Sequence, residues 1–151
     1  MIADILKRLR AEPETDARPL SPEDCRLALS ALMVRLAQQG DHYTHAEREM
    51  IEHVICERYG VSAKAAEALR KEAETLESQA SDTVRFTRLV KAAVPYDERE
   101  RVIEALWRVA ITDGIKAEEH GFLRLVASLI GVSDVDSGLA RQRAQRALGR
   151  D

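Results

Sequence analysis

Acidic side chains gather at two junctions where a loop leads into a predicted helix, and they are the groups best suited to do chemistry. The candidates are Asp41, Glu47, Asp113, Glu118 and Glu119. Carboxylate oxygens are the ligands that hard cations such as Ca²⁺ and Mg²⁺ prefer. If the protein binds a divalent metal ion, we therefore expect these five residues to hold it. The second junction lacks the alternating ligands of an EF-hand loop, which excludes that class of calcium site.

The helical positions of the three glutamates predict that they are partly buried. At 100° per residue, Glu47 projects to the same side of its helix as the apolar residues that follow it, and Glu118 and Glu119 flank the apolar side of theirs. A carboxylate in such a place needs a partner, which could be a cation, Arg35 or Arg108, or the free N–H groups of its own helix start. The last is the simplest interpretation, because glutamate in a first turn is ordinary capping chemistry.

Other polar patterns in the sequence are weaker evidence for a functional site. His45, Glu49 and His53 recur every four residues and could hold Zn²⁺ or Cu²⁺ at the surface, but a solvent-facing polar stripe explains them as well. The sequence has no HExxH, GxSxG, P-loop or glycine-rich fingerprint, so we expect no enzyme. The formal net charge is −3 and the basic C-terminal helix has no interleaved aromatic residues, so we expect no nucleic-acid partner.

Capping signals and apolar periodicity predict the elements that position these residues. The chain has 151 residues, 45% of them hydrophobic, which suits one domain with one core. No segment alternates as a strand does, and helix starts such as Ser21-Pro22 and Thr44 are followed by stops such as Gly60 and Gly131. The sequence predicts an all-α fold, a compact bundle of about seven to eight helices.

Residues 1–20 are predicted to form a short amphipathic helix and a linker, ahead of the main domain at 21–151. The helix carries an apolar stripe of Ile2, Ile5, Leu6 and Leu9, and a polar stretch with two prolines follows it. Ten residues do not hold a helix alone in water, so the stripe must dock on a surface. The domain itself, a second copy and an anionic membrane are the alternatives, and the length of the linker favours the domain itself.

Membrane and redox signals are weak. No uncharged run approaches the roughly 18 residues of a membrane span, and the start lacks the apolar run of a signal peptide. We therefore expect a cytoplasmic protein without an integral membrane segment. Cys25 and Cys56 each lie within an apolar helical pattern and are predicted to be buried thiols.

Two stretches, about 24–62 and 101–133, repeat the same landmarks in the same order. The matched positions are Arg35 with Arg108, Ala46-Glu47 with Ala117-Glu118, and Gly60-Val61-Ser62 with Gly131-Val132-Ser133. Each stretch reads as a helix, a short acidic loop and a second helix, and neither could cover its apolar face alone. We predict two pseudo-twofold related helix–loop–helix repeats that pack together.

Three segments carry a family resemblance. They are residues 106–114 (LWRVAITDG), 118–120 (EEH) and 125–133 (LVASLIGVS). The chain resembles the TerB-like family, named for tellurite resistance protein B, over most of residues 24–148. It departs from the family pattern in having Gly40-Asp41 where Asp-Gly is usual, and in a short second loop between Asp113 and Glu118.

The resemblance implies a compact helical bundle with pseudo-twofold halves and an acidic, metal-binding junction in each half. It also implies a link to tellurite and chemical stress, with no established enzymatic activity. The predicted function is a non-enzymatic binding or sensor module, and any cofactor is expected to be a divalent cation, Ca²⁺ or Mg²⁺. The alternative is a metal-free adaptor. Another protein is the expected partner in either case, and a homodimer is an alternative.

Overall fold

Eight α-helices and one short 3-10 helix account for most of the residues that the structure, a computed structural model, describes: 2–10, 20–40, 42–80 and 82–149. The α-helices are α1 (Ile2–Arg10), α2 (Pro22–Ala37), α3 (His45–Tyr59), α4 (Ala63–Gln79), α5 (Thr83–Ala93), α6 (Arg99–Ile111), α7 (Ala117–Ile130) and α8 (Asp134–Ala147). No strand occurs in these ranges. The predicted all-α class is confirmed.

Side-chain caps set most of the helix starts. Five helices have an N-cap side chain that accepts a hydrogen bond from a first-turn N–H: Ser21, Thr44, Ser62, Asp82 and Ser133. Gly60 and Gly131 end α3 and α7 with φ of 64° and 90°, in the left-handed region that suits glycine. The 3-10 helix Tyr96–Glu98 runs directly into α6, which begins without a side-chain cap.

Helices α2 and α6 form the centre of the bundle. From Leu27 to Ala37 every residue of α2 is buried, and α6 is buried without a break from Leu106 to Ile111. A helix that is buried on all sides must have neighbours all round it. Accordingly, α2 contacts α3, α4, α5, α6 and α7, while α6 contacts α2, α3, α7 and α8. The superposition of the two predicted repeats about a dyad remains a prediction.

Helix α1 docks on the domain itself. Ile5, Leu6 and Leu9 are buried, and α1 contacts α2, α4 and α5. Arg85 on α5 donates a hydrogen bond from Nη1 to the Leu9 carbonyl at 3.1 Å. Self-docking is therefore the arrangement that the structure has, while most of the predicted linker, residues 11–19, lies outside the described residues.

The cysteine thiols are less buried than predicted. Cys25 lies on α2 before its continuous buried stretch begins at Leu27, and Cys56 lies at the edge of the buried face of α3. Both are only partly buried. In the ranges that the structure describes, no helix combines the length and the apolar character needed to cross a bilayer.

Candidate functional site

Glu47 and Glu119 are the third residues of α3 and α7, and both are completely buried. Each uses one carboxylate oxygen to cap its own helix. Oε1 of Glu47 accepts from the Thr44 N–H at 2.9 Å, and Oε1 of Glu119 accepts from the Lys116 N–H at 3.1 Å. Capping, the simplest of the interpretations drawn from the sequence, therefore accounts for one oxygen of each carboxylate.

The other oxygen of each glutamate is not explained by capping. Oε2 of Glu47 and Oε2 of Glu119 are both inaccessible, and neither has a hydrogen-bond partner among the described residues. The two carboxyl groups lie close enough that a proton on one could bond to the other. Two ionised carboxylates can only accept, so each is left without a donor. We call Glu47 and Glu119 the glutamate pair.

Burial and the neighbouring carboxylate raise the pKa of Glu119. Desolvation is the largest cause that raises the pKa of Glu119, to about 7, and the neighbouring Glu47 raises it further. The backbone N–H and the ammonium group of Lys116 act in the opposite direction. Two carboxylates that share a buried site need a proton or a cation to remain there at low cost. Either a proton or a cation would therefore lower the cost of burying the pair.

One positive charge is already present at the edge of the pair. Nζ of Lys116 lies 3.7 Å from Oε2 of Glu47, and it donates a hydrogen bond to the His42 carbonyl at 3.2 Å. At 3.7 Å the contact with Glu47 is an ion pair but too long for a hydrogen bond. The side chain of Lys116 crosses Gly40, where an added Cβ would collide with Cδ of Lys116. This lysine joins the start of α7 to the loop before α3.

The other predicted site residues take different positions. Asp113 is exposed and accepts a hydrogen bond from the hydroxyl of Thr44, so it reaches the pair only through that residue. Glu118 is exposed at the surface of α7 and does not belong to the buried pair. Asp41 lies outside the described residues. The structure thus brings together Glu47 and Glu119, with Asp113 at their rim.

The match between the two junctions is shifted by one residue from the predicted one. The repeat predicted from the sequence matches Glu47 with Glu118. By distance from the helix start, however, the counterpart of Glu47 is Glu119. Helix α3 has 15 residues and α7 has 14, which accounts for the shift. No sequence pattern used above singles out Lys116, although a lysine stands where a serine or threonine cap is usual.

The arginines at matched positions of the two repeats do not contact the glutamate pair. Arg35 binds Glu77 with Nε at 3.2 Å, and Arg108 binds Glu57 with Nη1 at 3.1 Å. The interpretation in which Arg35 or Arg108 neutralises the glutamates is therefore wrong. Helix packing directs both arginines to other carboxylates.

The histidine stripe is exposed and internally paired. His45 contacts Glu49 at 2.7 Å, and His53 contacts Glu57 at 3.5 Å, each one helical turn apart. Within the described part of the chain no group of three or more His, Cys, Asp or Glu side chains is arranged to hold a metal ion. The polar-stripe interpretation fits these contacts, and the glutamate pair remains the candidate that needs a partner.

Comparison with known proteins places this architecture in a family. The family model described as tellurite resistance protein TerB matches residues 26–142, a stretch that begins in α2, contains both acidic junctions and ends in α8. No curated protein and no solved structure matches the chain significantly. The matched stretch covers well over half of the chain, and the chain belongs to the TerB family.

Proposed function

We propose that this chain is a non-enzymatic binding or sensor module of a tellurite or chemical stress response, and that it binds a divalent cation through Glu47 and Glu119. One observation carries the proposal: two completely buried carboxylates each keep an oxygen that no described donor satisfies. A buried, unsatisfied charge is costly, and a cation between the two oxygens would remove that cost.

The donor set suits a hard cation. The pair supplies carboxylate oxygens, and the His42 carbonyl already faces a positive charge at the same place. Oxygen donors without sulfur or imidazole favour Ca²⁺ or Mg²⁺ over softer metals. Asp113 at the rim and Asp41, which precedes His42 in the chain, complete the proposed set. Glu118 is left out of this set, because its side chain is exposed.

A bound cation would change the stability of the domain, because it would join two segments that lie far apart in the sequence. Glu47 begins α3 and Glu119 begins α7, so one ion would tie the two helix starts together. An ion that binds only the folded state stabilises it in proportion to the logarithm of its concentration. The expected response is therefore a stiffer domain rather than a chemical reaction.

The test is thermal unfolding of the full chain after chelation, with and without Ca²⁺, Mg²⁺ or Mn²⁺. We expect the ion to raise the unfolding midpoint of the unmodified protein and of the control Glu118→Gln. The rise should disappear in Glu47→Gln and Glu119→Gln. A midpoint that no ion shifts in the unmodified protein contradicts the proposal, and an equal shift in all three variants places the ion elsewhere.

A metal-free adaptor is the second candidate, and an exposed apolar strip on α8 favours it. Val135 and Leu139 are one helical turn apart, and 73% and 46% exposed. Two such side chains on one face suit contact with another protein. A tellurite survival assay in the native host distinguishes the two functions. If the adaptor is correct, Val135→Asp with Leu139→Asp abolishes protection and Glu47→Gln does not; the cation proposal predicts the reverse.

A further inference from the structure

We infer that Lys116 is a built-in competitor for the cation site, so that a divalent ion binds only by displacing its ammonium group from Glu47. The inference rests on the proposed function and adds its regulation. It makes Lys116 the residue that sets the concentration at which the site responds.

The ammonium group lies beside oxygens that a bound cation would also contact. Nζ of Lys116 has a carboxylate oxygen of Glu47 at 3.7 Å and the His42 carbonyl at 3.2 Å, two of the oxygen types that a hard metal ion would use. Its side chain is 27% exposed, whereas that of Lys71, a surface lysine paired with Glu67, is 62% exposed. Lys116 is therefore partly withdrawn from solvent toward the glutamate pair.

Local helix chemistry argues against a lysine at this place. Lys116 is the N-cap of α7, and its side chain has no acceptor for the free N–H groups of the first turn. A positive charge near a helix start also opposes the helix dipole. Its partner His42 is 74 residues away in the chain, so the contact that favours lysine here is tertiary.

Gly40 makes room for the lysine. The φ angle of Gly40 is not positive, so the backbone conformation does not require glycine there. A Cβ there would collide with Cδ of Lys116 and lie 3.0 Å from Cε, so a side chain at this position would have to displace the flexible lysine. The loop before α3 is thus shaped to let the lysine side chain pass.

The test is calorimetric titration of the chelated full chain with CaCl₂ and, separately, MnCl₂. The variant is Lys116→Met, which keeps a long side chain but removes its charge, and the matched control is Lys71→Met. We expect Lys116→Met to bind the ion at least tenfold more tightly than the unmodified protein, about 1.4 kcal/mol. The control should bind as the unmodified protein does.

The outcomes separate the two proposals. If the unmodified protein binds and Lys116→Met binds no more tightly, the competitor role is wrong and the cation site stands. If only Lys116→Met binds, the competitor role is supported and the metal function of the unmodified chain is wrong. If neither binds, both proposals are wrong.

Gly40→Ala provides a second variant that keeps the lysine charge. Because the added methyl group crowds the side chain of Lys116, it should move the ammonium away from Glu47 and tighten ion binding, by less than Lys116→Met does. Circular dichroism checks that each variant is folded. An affinity that falls or stays unchanged in folded Gly40→Ala contradicts the competitor role.

Discussion

Helices α3 and α7 begin with the same buried glutamate but with different caps. At α3 the hydroxyl of Thr44 accepts the Glu47 N–H at 3.1 Å while Glu47 accepts the Thr44 N–H, a complete capping box. At α7 only the bond from the Lys116 N–H to Glu119 exists, because lysine cannot return it. At the second junction, the tertiary contact of Lys116 with His42 takes the place of half of the capping box.

The arginines at matched positions differ in the same way. Arg35 is held by Glu77, by the hydroxyl of Thr83 at 3.1 Å and by the Ala80 carbonyl, so it closes the connection between α4 and α5. Arg108 binds Glu57, which is 60% exposed, and its Nε has no acceptor in the described residues. It borders a charged groove of about 700 Å³. Both arginines are buried, but Arg35 is held by partners inside the fold, whereas Arg108 pairs with a carboxylate that is exposed to water.

The largest effect should come from the arginines. Arg35→Met removes one member of a mostly buried network and should lower the free energy of unfolding by about 3 kcal/mol. Arg108→Met should cost about 1 kcal/mol, because its partner is exposed to water. Urea unfolding measures both. Equal losses would break the comparison between the two arginines.

An intermediate effect should appear as a pH dependence of stability that depends on Glu119. Its pKa, about 7 in the folded protein, is above its ordinary value of 4.5, so its contribution to stability is full below about 4.5 and is lost as the pH rises through 7. In chelated protein, going from pH 8 to pH 5.5 should add about 1 to 2 kcal/mol that Glu119→Gln lacks. Urea unfolding at several pH values checks this. If the two proteins show the same pH profile, the pKa of Glu119 is not raised in the folded protein.

The smallest effect isolates the missing cap. Glu47→Gln combined with Lys116→Thr should be about 1 kcal/mol more stable than Glu47→Gln with Lys116→Ala, because the threonine hydroxyl restores the capping box that α3 has. Because Glu47 is uncharged in both double variants, the loss of its ion pair with Lys116 does not contribute to the difference in stability. Thermal unfolding of the two double variants compares them directly. No difference would mean that α7 does not need a side-chain cap.

Much of the fold follows from neighbouring residues in the chain. Thr44 and Glu47 are three positions apart, and their reciprocal hydrogen bonds form within one turn, whatever the rest of the molecule does. Gly60 and Gly131 end helices because the left-handed conformation is a property of the residue itself. The all-α class and the helix starts at Ser21, Ser62 and Ser133 are local in the same sense.

Tertiary packing decided the site. The sequence placed Glu47 and Glu119 on buried helix faces, but only the packing of the bundle brought these two carboxylates together and left Glu118 exposed. The partner of Lys116 was equally hidden, since His42 is 74 residues away. Hydrogen bonds within a turn depend on residues a few positions apart, whereas contacts between α3 and α7 depend on how every intervening helix packs.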